Sequence, residues 1–181
     1  MNWRQQLEKY ERDKDWKCAI GLIQDIINDN PDNLDAYLRV NYLLMNLLVE
    51  EDYDSSEHGY YADLLKKYFL ESYGKFSHNP EYLFYTGITA HLSEWYFDID
   101  IEEAKTMLKE ALRLEPGNTL YKWGYLTYLD MGNTVDKRHI IIYTKKILQE
   151  DSLVKETLKL KGTLGEYILG IMEYWSKDTT A

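Results

Sequence analysis

Cysteine is nearly missing from this chain. Cys18 is the only one in 181 residues, which excludes an intrachain disulfide framework and any CxxC metal or redox motif. A reducing compartment, the cytoplasm, is the expectation that follows. Long hydrophobic runs are missing too. No stretch approaches the roughly 18 apolar residues that a membrane-spanning helix needs, and the most apolar segment, Val40–Val49, has the length of a buried helix. The opening MNWRQQLEKYERDKDW is charged, has no apolar core and does not read as a signal peptide. Positive charge is in short supply, with 21 Lys and Arg against 31 Asp and Glu and a net charge of −10. That balance argues against nucleic acid or an anionic membrane as a direct partner and favours a basic protein.

Catalytic groupings are also lacking. The four histidines, His58, His78, His91 and His139, include no i, i+4 pair, and there is no HExxH. No GxGxxG or phosphate loop occurs. Gly162, Gly165 and Gly170 lie near a helix and read as close packing or a kink. Adjacent acids such as Glu102 and Glu103 point to different sides of a helix. The expectation is a non-enzyme without cofactor or metal.

Helical periodicity is what the chain does have. In Ile101–Asn118, Ala104, Leu108 and Ala111 fall at i, i+4 and i+7, with Met107, Leu112 and Leu114 widening the stripe. Glu102 and Glu103 sit in the first turn, where the helix dipole favours acids. Pro116 and Gly117 stop the helix. The same grammar recurs in Ala19, Ile23, Ile26 and Pro31, again with 12 residues from the alanine to the proline. All three prolines, Pro31, Pro80 and Pro116, punctuate successive helix-like runs. Self-similarity on this scale is the mark of a helical repeat array.

These residues resemble the tetratricopeptide repeat (TPR) family, whose unit is a helix pair of about 34 residues. Trp3, Tyr10, Ala19, Ile23, Ile26 and Pro31 match its pattern in the first pair, and Ala104, Leu108, Ala111 and Pro116 in the third. Gly87 and Gly124 resemble its first-helix glycine. The second pair departs most, since no small residue stands 12 before Pro80. The resemblance covers roughly residues 2–150. It implies an all-α, single-domain solenoid of three to four helical hairpins, about 2–33, 34–80, 81–118 and 119–150. A C-terminal helical region, about 152–176, would cap the last hairpin, with a break near Gly162 and Gly165. Helix 5 is expected over about 81–95, a turn at Gly132-Asn133, and a helix over about 135–150 despite the β-branched run His139–Tyr143.

The resemblance also implies that the first helix of each pair lines a groove that contacts a ligand. By register those positions include Arg4, Glu8, Glu11 and Arg12 in helix 1. They continue through Asp35, Tyr42, Met45 and Asn46, then Phe84, Ile88 and His91, and finally Asn118, Tyr121, Tyr125 and Tyr128. Tyr121, Tyr125 and Tyr128 share a face at i, i+4, i+7. Tyrosine pairs large contact area with a polar tip, although such a stripe also suits a packed core. Arg4, Arg12 and Arg39 are too few for the basic clamp with which some family members hold a carboxylate.

The segment EEDYDSSEHG, 50–59, is too acidic to be buried. It is either a solvated insertion or an acidic lip for a basic partner, carried by Glu50, Glu51, Asp52 and Asp54. Residues 137–161 carry seven bases and three acids. That local +4 within a total of −10 leaves about −14 elsewhere. The expected function is protein binding. The first reading is an acidic inhibitor, comparable to an immunity protein that sequesters a basic nuclease-type toxin. A secretion or assembly chaperone and a scaffold subunit are the alternatives.

Overall fold

The computed structural model describes residues 2–129 and 137–177, and among them there are helices and no strands. Helix starts follow side-chain chemistry. Asn2, Asp15, Asn33, Asn79 and Asp151 each cap the first turn of the helix that follows, accepting from the backbone N–H groups of Arg4, Cys18, Ala36, Tyr82 and Val154. That satisfies donors with no partner inside the helix. The helices so begun are α1 (Trp3–Arg12), α2 (Trp16–Asp29), α3 (Leu34–Glu50), α5 (Pro80–Leu92) and α10 (Ser152–Lys159). Between α3 and α5 lies α4 (His58–Phe76), preceded by a 3₁₀ turn, Ser55–Glu57. Pro80 is the first residue of α5, where its missing N–H costs nothing. A reciprocal capping box, Asp100 with Glu103, starts α7 (Ile101–Leu114).

The helix expected over 81–95 is interrupted. It ends at Leu92, Ser93 breaks it, and a one-turn helix α6 (Glu94–Phe97) follows, closed by Asp98 at φ +58°. The break turns Phe97 inward, where it is fully buried and meets the Phe69 ring edge-on at 5.2 Å. The remaining helices are α8 (Thr119–Leu129), α9 (Lys137–Glu150) and α11 (Thr163–Lys177). The β-branched run at 139–143 is helical because Ile140, Ile141, Thr144 and Ile147 then share one buried face. The turn expected at Gly132-Asn133 lies outside the described residues.

Successive helices pack as pairs: α1 on α2, α3 on α4, α5 on α7, α8 on α9, and α10 on α11. The first helices of neighbouring pairs also touch, α3 with α5 and α5 with α8. Close approach is made possible at Gly87, where a β-carbon would stand 3.0 Å from the Leu108 side chain, and at Gly124, where it would stand 2.5 Å from the buried Phe84 ring. One contiguous apolar core runs from Leu7 to Met172.

The C-terminal pair does more than cover α9. Leu158, Leu164, Ile168 and Met172 join the main core, and α11 packs on α3 as well as on α9. The turn between α10 and α11, Leu160 to Gly162, therefore returns to the N-terminal helices. Gly162 has φ +59°, a left-handed conformation that a β-carbon disfavours.

Candidate functional site

The returning turn lands on α1, α3 and α5, and an ion cluster holds it. Asp35 is the hub. Its Oδ2 accepts from Arg4 Nε at 2.7 Å and Arg39 Nε at 3.3 Å, and its Oδ1 lies 3.5 Å from Lys161 Nζ. Lys161 also pairs with Glu81 and sits over the Tyr85 ring, 5.4 Å from its centroid. Arg39, only 3% exposed, donates from Nη2 to the Leu160 carbonyl at 2.8 Å, while its Nη1 is 3.5 Å from Glu8 Oε1. Two of the three arginines weighed for a carboxylate clamp, Arg4 and Arg39, are thus engaged by Asp35. Of the groove positions on α1 and α3, Asp35 and Glu8 lie against the chain's own turn.

Beside this cluster opens a cleft of about 460 Å³ between α1, α3 and α11. It brings together six residues singled out from the sequence, Glu8, Glu11, Arg12, Tyr42, Asn46 and Glu51, with Glu166 and Tyr167. Glu50 lies in an adjoining cleft that shares Tyr42 and Tyr167. The Tyr42 and Tyr167 rings stand 5.8 Å apart, tilted by 45°. Trp16 completes the aromatic wall, and Arg12, on the exposed side, is its one basic lining residue among the described residues.

Glu11 is the unusual member. It is 8% exposed, its Oε1 accepts from the Thr163 hydroxyl at 2.9 Å, and its Oε2 is buried without a hydrogen-bond partner. Burial pushes its carboxyl up from 4.5 to about 7, and the neighbouring Glu8 and Glu166 push the same way. The Thr163 hydrogen bond and the Arg39 charge oppose them. The orphaned oxygen is costly, because a desolvated acceptor without a donor loses the hydrogen bonds that water gave it.

The acidic loop is largely occupied with itself and with α2's surroundings. Glu51 pairs with Lys14 at 2.8 Å and Glu57 with Lys17 at 2.9 Å. Asp54 accepts from the Ser56 backbone N–H and hydroxyl at 3.0 and 2.8 Å, which holds its carboxyl below the ordinary range. The Tyr53 hydroxyl meets His58 Nδ1 at 2.6 Å. Glu50, Asp52 and Asp54 are the exposed acids of the segment.

The tyrosine face of α8 lies elsewhere. Tyr121 is buried and stacks on Phe84, with centroids 4.8 Å apart. Tyr128 is buried against Trp123, and the His91 ring meets it edge-on at 5.0 Å. Burial raises both phenols and lowers the His91 imidazole. Tyr125 is half-buried. Tyr121 lines a separate cleft of about 400 Å³ with Glu81, Tyr85 and Asp151. Met45, Phe84 and Ile88, groove positions by register, are buried.

Lys161, Thr163, Glu166 and Tyr167 were not among the residues picked out from the sequence. The one local sign was Gly162 beside Gly165, which marks the turn but not where it docks. Among the described residues no group of three His, Cys, Asp or Glu side chains is placed to hold a metal ion, and no helix is long and apolar enough to cross a membrane. Compared with known families, curated proteins and solved structures, the chain matches no family model, no curated protein and no solved structure.

Proposed function

We propose that this chain is a TPR-like stack of helical hairpins that works by binding another protein, as an acidic cytoplasmic inhibitor of a basic partner. The observation that carries the reading is the cleft between α1, α3 and α11. Four carboxylates, Glu8, Glu11, Glu51 and Glu166, line it against a single arginine, in a chain of net charge −10. Exposed Glu50, in the adjoining cleft, extends the same negative face. Opposite charge speeds encounter and suppresses wrong partners. The hairpin pairs, with first helices touching along the stack, support the TPR-like description. A chaperone that lays an extended client along the first helices needs those helices open, and here the α10–α11 turn sits on α1 and α3.

The test is capture from native lysate at low and at moderate salt, repeated with Glu166→Lys and with charge reversal at Glu50, Glu51, Asp52 and Asp54. One basic protein, retained at low salt, weakened by salt and lost with Glu166→Lys, is the expected result. Retention of many unrelated clients that ignores both salt and substitution would overturn the reading. An on-rate unchanged by the four-site reversal would remove the loop from the contact.

A further inference from the structure

The cleft has a feature that general acidity does not explain. Glu11 forms part of its wall and is nine-tenths buried, with one carboxylate oxygen held by Thr163 and the other unpartnered. Three aromatic side chains, Trp16, Tyr42 and Tyr167, line the same space. A buried acceptor without a donor, bounded by aromatic faces and further carboxylates, is the environment that stabilises an organic cation, through charge-assisted hydrogen bonding and cation–π attraction together. The neighbouring bases are largely committed: Arg39 to Asp35, Glu8 and the Leu160 carbonyl, and Lys14 to Glu51. Arg12 stays at the exposed side. A volume of about 460 Å³ accommodates one long side chain but not a folded element.

We propose that the cleft between α1, α3 and α11 is a receptor for a single alkylammonium or guanidinium group, with Glu11 and Glu166 as its counter-charges and Trp16, Tyr42 and Tyr167 as its walls. This rests on the reading of that face as the one that meets a basic partner, and it narrows the contact to one anchoring cation. The same chemistry could arrive on a lysine or arginine side chain of a protein or on a free polyamine. Arrival of the cation makes the charged form of Glu11 the favoured one, so binding near neutral pH expels the proton that burial retains. The charged groups that face this carboxyl are Glu8, Glu166 and Arg39, with Arg12 and Glu51 farther along the cleft wall and Thr163 as its hydrogen-bond donor.

The experiment titrates the intact protein with Nα-acetyl-lysine N-methylamide, the arginine analogue, spermidine and, as neutral control, the norleucine analogue, followed by two-dimensional amide NMR. The cationic probes should shift the amides of Glu11, Glu166 and Tyr167 well beyond the control. Glu11→Gln, which preserves the acceptor for Thr163, should weaken binding at least tenfold at pH 8. Exposed Glu166→Gln, which cannot compromise folding, should weaken it severalfold. Calorimetry at pH 6.5 in two buffers of different ionisation enthalpy should show proton release that Glu11→Gln abolishes. Tighter binding of spermidine would identify a free amine as the source, and tighter binding of the amino-acid amides a protein side chain. Cationic probes that do no more than the norleucine control, or bind both variants as tightly as the parent, overturn the inference. The two readings fail separately. A captured basic protein indifferent to both variants would sink the receptor and spare the inhibitor, whereas probe binding with no retained basic protein would do the reverse.

Discussion

Two acidic regions of this molecule use their charge in opposite ways. The segment 50–57 is dense in acids along the sequence, and three of them, Glu51, Glu57 and Asp54, are answered nearby at the surface by Lys14, Lys17 and Ser56. The cluster around Asp35 draws its members from α1, α3, α5 and the α10–α11 turn, with Asp35 and Lys161 126 residues apart, and Arg39 at its centre is buried while Asp35 and Lys161 are largely shielded. Water screens the first kind and leaves it energetically slight. In the second kind Arg39 sits where its partners cannot be replaced by solvent, so losing one of them is costly. A conspicuous acidic run therefore says little about stability here, while the scattered cluster fixes where the C-terminal pair docks.

The sharpest way to test that contrast is Arg39→Ala. It leaves Asp35 with one fewer partner and the Leu160 carbonyl without its donor, so a loss of about 3–5 kcal/mol is expected from the general cost of breaking a buried pair. Urea denaturation measures it. A loss as small as that of a surface pair would show that the cluster is solvated after all.

Glu11→Gln comes next, and its effect depends on pH. Folding holds the Glu11 proton more tightly, from 4.5 up to about 7, so the folded state binds more protons than the unfolded one in between. The stability that protonated Glu11 provides is complete below pH 4.5 and is lost as pH rises through 7. Glutamine, which does not ionise, should match the parent below pH 4.5 and exceed it by about 3 kcal/mol above pH 7. A gain that is the same at pH 4 and pH 8 would sink the assignment of a proton to this carboxyl.

These two side chains also show what the sequence could convey. The helices were legible almost throughout, because most are periodic and many are begun by an Asp or Asn whose capping role is local. Gly87 and Gly124 stood out in the sequence as resembling a first-helix glycine, and in the structure each lies where another helix comes close, Gly87 against Leu108 of α7 and Gly124 against Phe84 of α5. The break at Ser93 was not, since it serves the burial of Phe97 against Phe69, a contact between distant segments. Of the site, Glu8 and Tyr42 were found by register and Glu51 by the acidity of its segment, and they do share one cleft. Glu11 appeared only as one groove position among many. Lys161, Glu166 and Tyr167 could not be found, because the α10–α11 turn reaches the cleft through tertiary packing that no local pattern encodes. The tyrosines of α8 look like a binding stripe in sequence, and Tyr121 and Tyr128 are buried because Phe84 and Trp123 offer them better surfaces than water.

A smaller perturbation separates the turn from the cluster it carries. Gly162→Ala puts a β-carbon at φ +59° and 2.4 Å from Arg39 Nη1. Strain of about 1–2 kcal/mol is expected from the left-handed backbone alone, and displacement of the guanidinium adds to it. If the turn is seated by Arg39, Gly162→Ala and Arg39→Ala should be markedly non-additive in a double-mutant cycle. Simple addition of their losses would mean that the two act independently.

The smallest stability effect belongs to the loop. Lys14 and Lys17 are both fully exposed, and their ion pairs with Glu51 and Glu57 are screened. Replacing both with alanine should leave the urea midpoint indistinguishable from the parent. The same change uncovers two carboxylates beside Glu50 and Asp52, so association with a basic partner should become faster and more salt-dependent. Rate and stability thus respond to opposite regions: the cluster around buried Arg39 contributes to the fold's free energy and hardly touches long-range attraction, whereas the loop shapes the approach of a charged partner and hardly touches the fold. A double alanine variant that lowers the midpoint while leaving the association rate unchanged would reverse that division.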